Sequence, residues 1–328
     1  MRTVLVTGGT GFIGSNLAIA LLHAGCNIRI LRRPGSDLTA LEQAPVEYCM
    51  GDVRDPDSLR RAVKGCDTVF HTAAIVSYWR KERDLMYDVN IRGTRNVVEA
   101  CLDLGVEKLV HTSSIAALGP SDDGEPLDEH APFNWDRFDV GYRISKNKAE
   151  LEVLRGVRMG LQAVIVNPSV VIGPRDIHFH GGQLIRDVRK RRIFYYPDGG
   201  INIVYVKDVV QGQIAAAQQG RVGERYILCG ENLTHRQALT TIAETVGGFS
   251  PFFKLPSPLA KIIAGAAEGV ATMTGFKPWV TRELIAGIGM NSWFSCRKAE
   301  QELGYTMTPF RDAVKMTFRW YREKNLLN

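Results

Sequence analysis

The sequence predicts an α/β fold in which a doubly wound parallel sheet is covered by helices on both faces. Three observations carry that reading. Glycines stand at positions 8, 11 and 14, within "TGGTGFIG", directly after the apolar run Val4, Leu5, Val6. An apolar stripe at Ile13, Leu17, Ala20, Leu21 and Ala24 follows at helical spacing, with Gly25 placed to stop it. Short apolar runs and helical stretches then keep alternating, which is the pattern of parallel strands joined by crossover helices.

Taken in order, the first unit is a strand, a glycine turn and a helix. Gly8 lets the chain turn tightly, Gly11 lets backbone amides approach an anion, and Gly14 lets the helix pack against the strand. A pyrophosphate at that helix N-terminus meets unpaired N–H groups and the positive end of the helix dipole. The second strand, "NIRIL", runs into "RRPGS". A carboxylate there would bind the ribose 2′-hydroxyl of NAD. Arg32 and Arg33 suit the 2′-phosphate of NADP instead, so the sequence favours NADP with NAD as the alternative.

"VEYC" is a third strand, followed by "GDVRDPDSL", which ends in a helix start. "DTVFHTAA", "KLVHTSS" and "QAVIVNP" are further strands, and "LMYDVNIRGTRNVVEACLDLG" is helical. In such sheets ligands gather at the carboxyl ends of the strands, where Asp52, Ala73, Ala74, Ser113 and Ser114 fall. In "YRISK", Tyr142 and Lys146 are four residues apart and share one helix face. Lys146 then biases Tyr142 toward phenolate, lowering a pKa that starts near 10. Such a tyrosine can pass a proton to an oxygen that gains a hydride, while Ser114 holds the same oxygen.

Composition narrows the class. The 328 residues are 45% hydrophobic and 23% charged, ample for one large core or two unequal lobes. No apolar run is long enough to span a membrane, and the opening "MRTVLVTGG" has no signal-peptide architecture. The six cysteines (26, 49, 66, 101, 229 and 296) are scattered, which suits reduced thiols in the cytoplasm and supports neither a disulfide framework nor a metal site. The net charge of +6 is dispersed, which argues against a nucleic-acid partner. One cluster, Arg186, Arg189, Lys190, Arg191 and Arg192, reads as a solvated helix end before an anion site.

The chain resembles the extended short-chain dehydrogenases/reductases. The likeness rests on "TGGTGFIG", "GDVRD", "VFHTAA", "VNIRGTRNVVEA", "LVHTSS", "YRISK", "NPSVVIGPRD" and "VYVKDVV", from Met1 to about Gly230. It implies a Rossmann domain, residues 1–169 plus 201–229, and a smaller substrate lobe, residues 170–200 and 230–328. It implies a catalytic triad of Ser114, Tyr142 and Lys146, with Ser113 as the rival serine. It implies cofactor contacts at Gly8, Thr10, Gly11, Phe12, Ile13, Gly14, Asp52, Val53, Ala73, Ala74, Asn90, Ser113, Tyr142, Lys146 and Pro168. Asn90 matches a family asparagine that supports the active site, or it is a structural helix residue. The helices near 83–102 and 142–155 resemble the pair that forms a four-helix dimer interface, so a homodimer is expected.

Within the family the chain is most similar to the dihydroflavonol-reductase-like branch, and it resembles the hopanoid-associated sugar epimerase proteins through "GERYILCGENLT" and "SCRKAEQELGY". Nucleotide-sugar members usually carry an arginine where this chain has Ile201, and an aliphatic side chain cannot replace that phosphate anchor. Asn167 does match their pattern, or it caps backbone. Tyr78, Trp79, Trp135, Phe179, Tyr195, Tyr196, Trp279, Trp293 and Phe294 suggest an apolar pocket. "SPLAKIIAGAAEGVATMTG" is an apolar helix expected to pack inside the lobe, ahead of lying on a membrane or lining a tunnel. The expectation is an NADPH-dependent reductase of a ketone or aldehyde on a fairly apolar small molecule. A sugar-nucleotide epimerase or dehydratase is the alternative, and a non-catalytic dinucleotide-sensing scaffold the remote one.

Overall fold

The computed structural model describes residues 2–119 and 124–327. Its strands are β1 (Thr3–Thr7), β2 (Asn27–Arg32), β3 (Glu47–Met50), β4 (Thr68–His71), β5 (Lys108–Thr112), β6 (Ala163–Pro168), β7 (Val170–Ile172), β8 (Tyr195–Pro197), β9 (Gly200–Tyr205), β10 (Arg225–Leu228), β11 (Glu231–Thr234) and β12 (Phe253–Leu255). Its α-helices are α1 (Phe12–His23), α2 (Pro56–Val63), α3 (Arg83–Tyr87), α4 (Gly93–Asp103), α5 (Gly141–Arg158), α6 (Gln183–Arg189), α7 (Val206–Gln219), α8 (His235–Val246), α9 (Ser257–Thr274), α10 (Arg297–Leu303) and α11 (Phe310–Glu323).

Seven strands form one sheet in the order β10-β6-β5-β4-β1-β2-β3, and every pairing in it is parallel. This is the expected doubly wound sheet. Alternate residues of β1 enter opposite layers: Val4 and Val6 join the core with Leu17 and Leu21 of α1, while Leu5 joins Leu59, Val97 and Val98 of α2 and α4. The chain winds outward from β1 to β3 and then returns to place β4 on the other side of β1. The crevice that binds ligands in open α/β sheets therefore lies at the ends of β1 and β4.

The smaller part holds a three-stranded sheet, β11-β9-β7, and a β12–β8 pair, packed with α6, α8 and α11. β9 pairs with β7 and β11, so the chain rejoins the nucleotide-binding core at α7, while Ile201 stays with the small sheet. α8 opens on a capping box between Thr234 and Gln237. The basic cluster behaves as a helix end: Arg189 donates to Val246 O at 3.2 Å, Arg186 pairs with Asp187, and Arg191 lies over Phe249.

The apolar helix departs from expectation. α9 buries only Ala260, Ala264 and Ala271, and Ile262 is 68% and Met273 89% exposed. Its small residues form a narrow seam against the lobe, and its larger ones point outward. Among the described residues, no helix is long and apolar enough to cross a membrane.

Candidate active site

The register carries the site residues to one layer. Thr7 pairs with His71 and His71 with His111, and Ser113 N donates to Val166 O at 2.8 Å, so the loops after β1, β4, β5 and β6 leave the sheet side by side. At the head of α1, Gly8 holds φ +71°, where a side chain is strained, and its carbonyl accepts from Gly11 N at 2.9 Å. A Cβ on Gly8 would lie 2.6 Å from Ala73 N, and one on Gly14 would lie 2.3 Å from Gly8 O. No side chain caps the N-terminus of α1 at Gly11. A side-chain-free cradle under uncapped helix amides fits the pyrophosphate of a dinucleotide. Thr10 and Ile13 are half-buried beside it. Phe12 is packed into the core, so only its backbone faces the cradle.

A groove of about 450 Å³ follows the ends of β2 and β3, lined by Arg33, Asp52, Arg54, Ser58 and Arg61 among others. Arg54 grips Asp52 at 2.8 and 3.1 Å, which holds the Asp52 carboxyl below its usual range. Arg33 and Arg61 have no ion pair among the described residues and so bring free positive charge to the groove. Arg32 instead lies over the Tyr48 ring at 5.2 Å. Arg54 and Arg61 were not singled out in the sequence, because charged residues just before and near the end of a short helix look like ordinary solvated ones. Val53 is buried against Gly93 below the groove. Ala73 and Ala74 sit above the cradle at the end of β4, and Pro168 is buried at the end of β6.

Asn90 lies in a five-residue π-helical turn, Asp88–Arg92, between α3 and α4. Its amide donates to Ile75 O and to Ser145 Oγ, each at 2.9 Å, and its oxygen accepts from Ile75 N at 2.8 Å. Asn90 therefore ties the loop after β4 to α5 one residue before Lys146, and its amide hydrogens are taken by protein. Asn167 is buried likewise, donating to Ser114 O at 2.9 Å and to Glu150 at 2.7 Å, so it supports the serine loop from beneath.

At the start of α5, Gly141 N donates to the buried Glu283 carboxylate at 2.9 Å, a contact from the C-terminal lobe that the sequence did not signal. Tyr142 follows, half-buried, its ring edge-on to Tyr78 with centroids 5.6 Å apart. Ser114 lies close enough to its hydroxyl to favour the ionised form. Ser113 is the more buried serine and its Oγ has no partner among the described residues, so the geometry brings Ser114 to the tyrosine. Lys146 is buried one turn along, and its ammonium donates to Thr112 O at 2.9 Å. Burial brings the Lys146 pKa down to about 8, against the opposing pull of Glu150.

The expected lowering of the Tyr142 pKa is reversed. Burial and the neighbouring Tyr78 push the Tyr142 phenol well above its ordinary value, and the nearness of Ser114 and the charge of Arg143 do not offset them. Lys146 spends its ammonium on a backbone carbonyl here. Tyr142 is thus held as the neutral phenol, the form that donates a proton.

Of the aromatic set, Tyr78 alone reaches Tyr142 in a ring contact. Trp135 and Phe294 are buried in the interior, Phe179 packs on Tyr321, Trp293 donates to Leu233 O, Trp79 lies beside Lys81, Tyr195 meets Phe194, Tyr196 lies under Arg236, and Trp279 is exposed.

The profile of the NAD dependent epimerase/dehydratase family matches residues 4–229. The chain belongs to that family. Its enzymes of the extended short-chain type are NAD(P)-dependent dehydrogenases and reductases, and this chain is one of them. It is 34% identical, over 97% of its length and 94% of the relative's, to a Synechocystis protein that carries a provisional dihydroflavonol 4-reductase name. It is 33% identical to sterol demethylase protein B of Methylococcus capsulatus, over 99% of this chain and 100% of that one. The solved structure of gox2253 superimposes with a TM-score of 0.88 at 40% identity, covering both chains fully. A nucleoside-diphosphate-sugar epimerase from Pseudomonas aeruginosa gives 0.82 at 25% identity, over 100% of this chain and 99% of that one.

Proposed function

We propose that this enzyme is an NADPH-dependent reductase of a ketone or aldehyde on a fairly apolar small molecule. The observation that carries the reading is Tyr142, a neutral phenol in an aromatic corner beside Ser114. Gly8, Gly11 and Gly14 would hold the pyrophosphate, and Arg33, with Arg61 nearby, the 2′-phosphate. A nicotinamide cofactor held there would supply the hydride for the carbonyl carbon. Tyr142 gives its proton to the carbonyl oxygen, and Ser114 donates a hydrogen bond to the same atom. The phenolate left behind has the Lys146 ammonium one helical turn away to stabilise it before it is reprotonated. Relatives named as reductases support this direction, among them a ketoreductase of Stigmatella aurantiaca acting on a farnesylated dihydroquinoline oxide.

The second reading is a sugar-nucleotide epimerase or dehydratase, favoured by the solved structure of the Pseudomonas protein. Ile201 and the aromatic wall at Tyr78 weigh against it. Single-turnover oxidation of bound NADPH by a panel of aromatic and alicyclic ketones tests the first reading. Calorimetric titration with UDP and dTDP tests the second. Reduction of a ketone without micromolar nucleotide binding is expected, and tight UDP or dTDP binding would replace the first reading with the second. We also infer a homodimer through α4 and α5, with Leu151 of α5 and Leu104 just past the end of α4 exposed, and a cytoplasmic setting in keeping with six free thiols.

A further inference from the structure

Arg143 follows Tyr142 on α5, and the proposed reduction gives it no task. Its guanidinium carbon lies 3.6 Å from the centre of the Trp135 ring. Trp135 is 1% exposed and fixed by its Nε1, which donates to Leu118 O at 2.9 Å. A Cβ on Gly287 of the C-terminal lobe would lie 3.8 Å from Arg143 Nη2 and 3.0 Å from Trp135 Cη2, so there is little room on that side. Tyr78 and Tyr142 complete the surroundings and interact with the charge.

Most other half-buried arginines have carboxylates; Arg32, which lies over the Tyr48 ring, is an exception, and it stands at the end of β2 away from Tyr142. Arg29 meets Glu47, Arg83 meets Glu283 and Asp139, Arg175 meets Glu42, and Arg225 meets Glu150. Arg143 makes no ion pair and no hydrogen bond among the described residues, only the stack on Trp135. Glu283, a carboxylate that acts on the neighbouring Tyr78, is already engaged by Arg83, Arg80 and Gly141 N. Burial pulls the Arg143 pKa down from its ordinary value, as expected of a charge held without a counter-ion. A guanidinium does not give up its proton in a protein, so it stays charged and under-solvated, and stacking replaces only part of the lost hydration. An unpaired charge kept beside a reacting group is a site waiting for a ligand.

We propose that Arg143, braced on Trp135, anchors a carboxylate of the substrate, so that the molecule reduced is an apolar skeleton bearing one carboxylate close to its carbonyl. The proposal rests on the reductase reading and names its substrate class. One planar guanidinium matches one carboxylate with two parallel hydrogen bonds. A phosphate dianion would leave a charge uncompensated here, because Arg80 and Arg83 are occupied.

The test is calorimetry on the NADP⁺-loaded enzyme with 2-naphthoate and its neutral counterpart 2-naphthylmethanol, for wild type, Arg143→Gln and Arg143→Lys. Wild type should prefer naphthoate by about 10- to 100-fold, the value of a charge-assisted pair. Arg143→Gln should erase the preference and Arg143→Lys keep part of it. Melting curves accompany each titration, and if the glutamine variant does not fold, a reduced preference in the lysine variant decides. Equal affinity of the two probes in wild type, no naphthoate binding at all, or an undiminished preference in Arg143→Gln overturns the assignment. NADPH oxidation with the neutral ketone 2-acetonaphthone runs alongside. Its failure with the naphthoate preference intact counts against the reductase reading alone, and the reverse pattern counts against the anchor alone.

Discussion

The two parts of the chain treat apolar residues in opposite ways. In β1, Val4, Leu5 and Val6 are all buried, because the strand lies between two layers of helices and has no outer face. α9 is also largely apolar in sequence, yet it buries a seam of three alanines and turns Ile262, Val270 and Met273 to the outside. Apolar composition signals burial only where topology supplies a partner on every side. The same contrast holds for glycine. Gly14 is pressed between Gly8 O and Thr72 Oγ1, and Gly269 of α9 has nothing within 4 Å of where its Cβ would stand.

If function is concentrated in the tightly packed part, the large effects of substitution should fall there. The largest is expected at Tyr142. Tyr142→Phe removes one hydroxyl from a half-buried ring, so melting temperature and NADPH affinity should hold, while the single-turnover rate falls by about 10²–10⁴-fold. An unchanged rate on an accepted ketone would remove Tyr142 as the proton donor. Next comes the groove. Replacing Arg32 and Arg33 together by Ala should weaken NADP binding by about 2–3 kcal/mol and leave NAD nearly unaffected. Arg33→Ala should account for most of this, since Arg33 lines the groove and Arg32 is stacked on Tyr48. Equal losses for both cofactors, measured by fluorescence titration, would contradict the assignment. Gly14→Ala should cost about 1–3 kcal/mol in thermal unfolding, because its methyl meets backbone that cannot move aside.

The nucleotide-binding part was legible because its rules are local and repeated. A glycine at each third position, an apolar run before it and a helical stripe after it specify one turn, and the spacing of Tyr142 and Lys146 puts them on one helix face. What stayed hidden depends on contacts between distant segments. Glu283 reaches Gly141 across 142 residues of sequence, and no pattern around either residue announces it. The Tyr142 pKa was misjudged for the same reason: the sequence shows the lysine four residues on, but not the ring of Tyr78 or the carbonyl of Thr112 that claims the ammonium. The placement of α9 was missed because its stripe of small residues is too narrow to distinguish from a wider buried face.

Lys146 yields a pH prediction. Its folded pKa of about 8 lies below the ordinary 10.5. The ammonium is therefore present below pH 8 and lost as pH rises through that value, and kcat/KM should fall about tenfold per pH unit above it. Stability should move the other way. Between pH 8 and 10.5 the unfolded chain binds more protons at this lysine than the folded one, so its contribution rises with pH. Activity loss with a rising melting temperature is the expected signature. Lys146→Met should flatten the pH profile, and a profile unchanged in that variant would assign the ionisation elsewhere.

The smallest effect is expected on α9, and its sign is what matters. Gly269 lies inside a helix, has an ordinary helical backbone and is exposed, with no atom near its Cβ direction. Glycine there carries the full entropy cost of ordering, so Gly269→Ala should stabilise the fold by about 0.5–1 kcal/mol, read as a rise in melting temperature. Gly14→Ala makes the same chemical change with the opposite expected sign, so the pair tests packing with helix propensity held nearly constant. A loss of stability at Gly269 would mean that a partner covers this face of α9 in solution, and repeating the melt over a range of protein concentration would show whether that partner is a second copy of the chain. A gain independent of concentration would leave α9 as it stands here, a helix held by its alanine seam with its larger side chains in solvent.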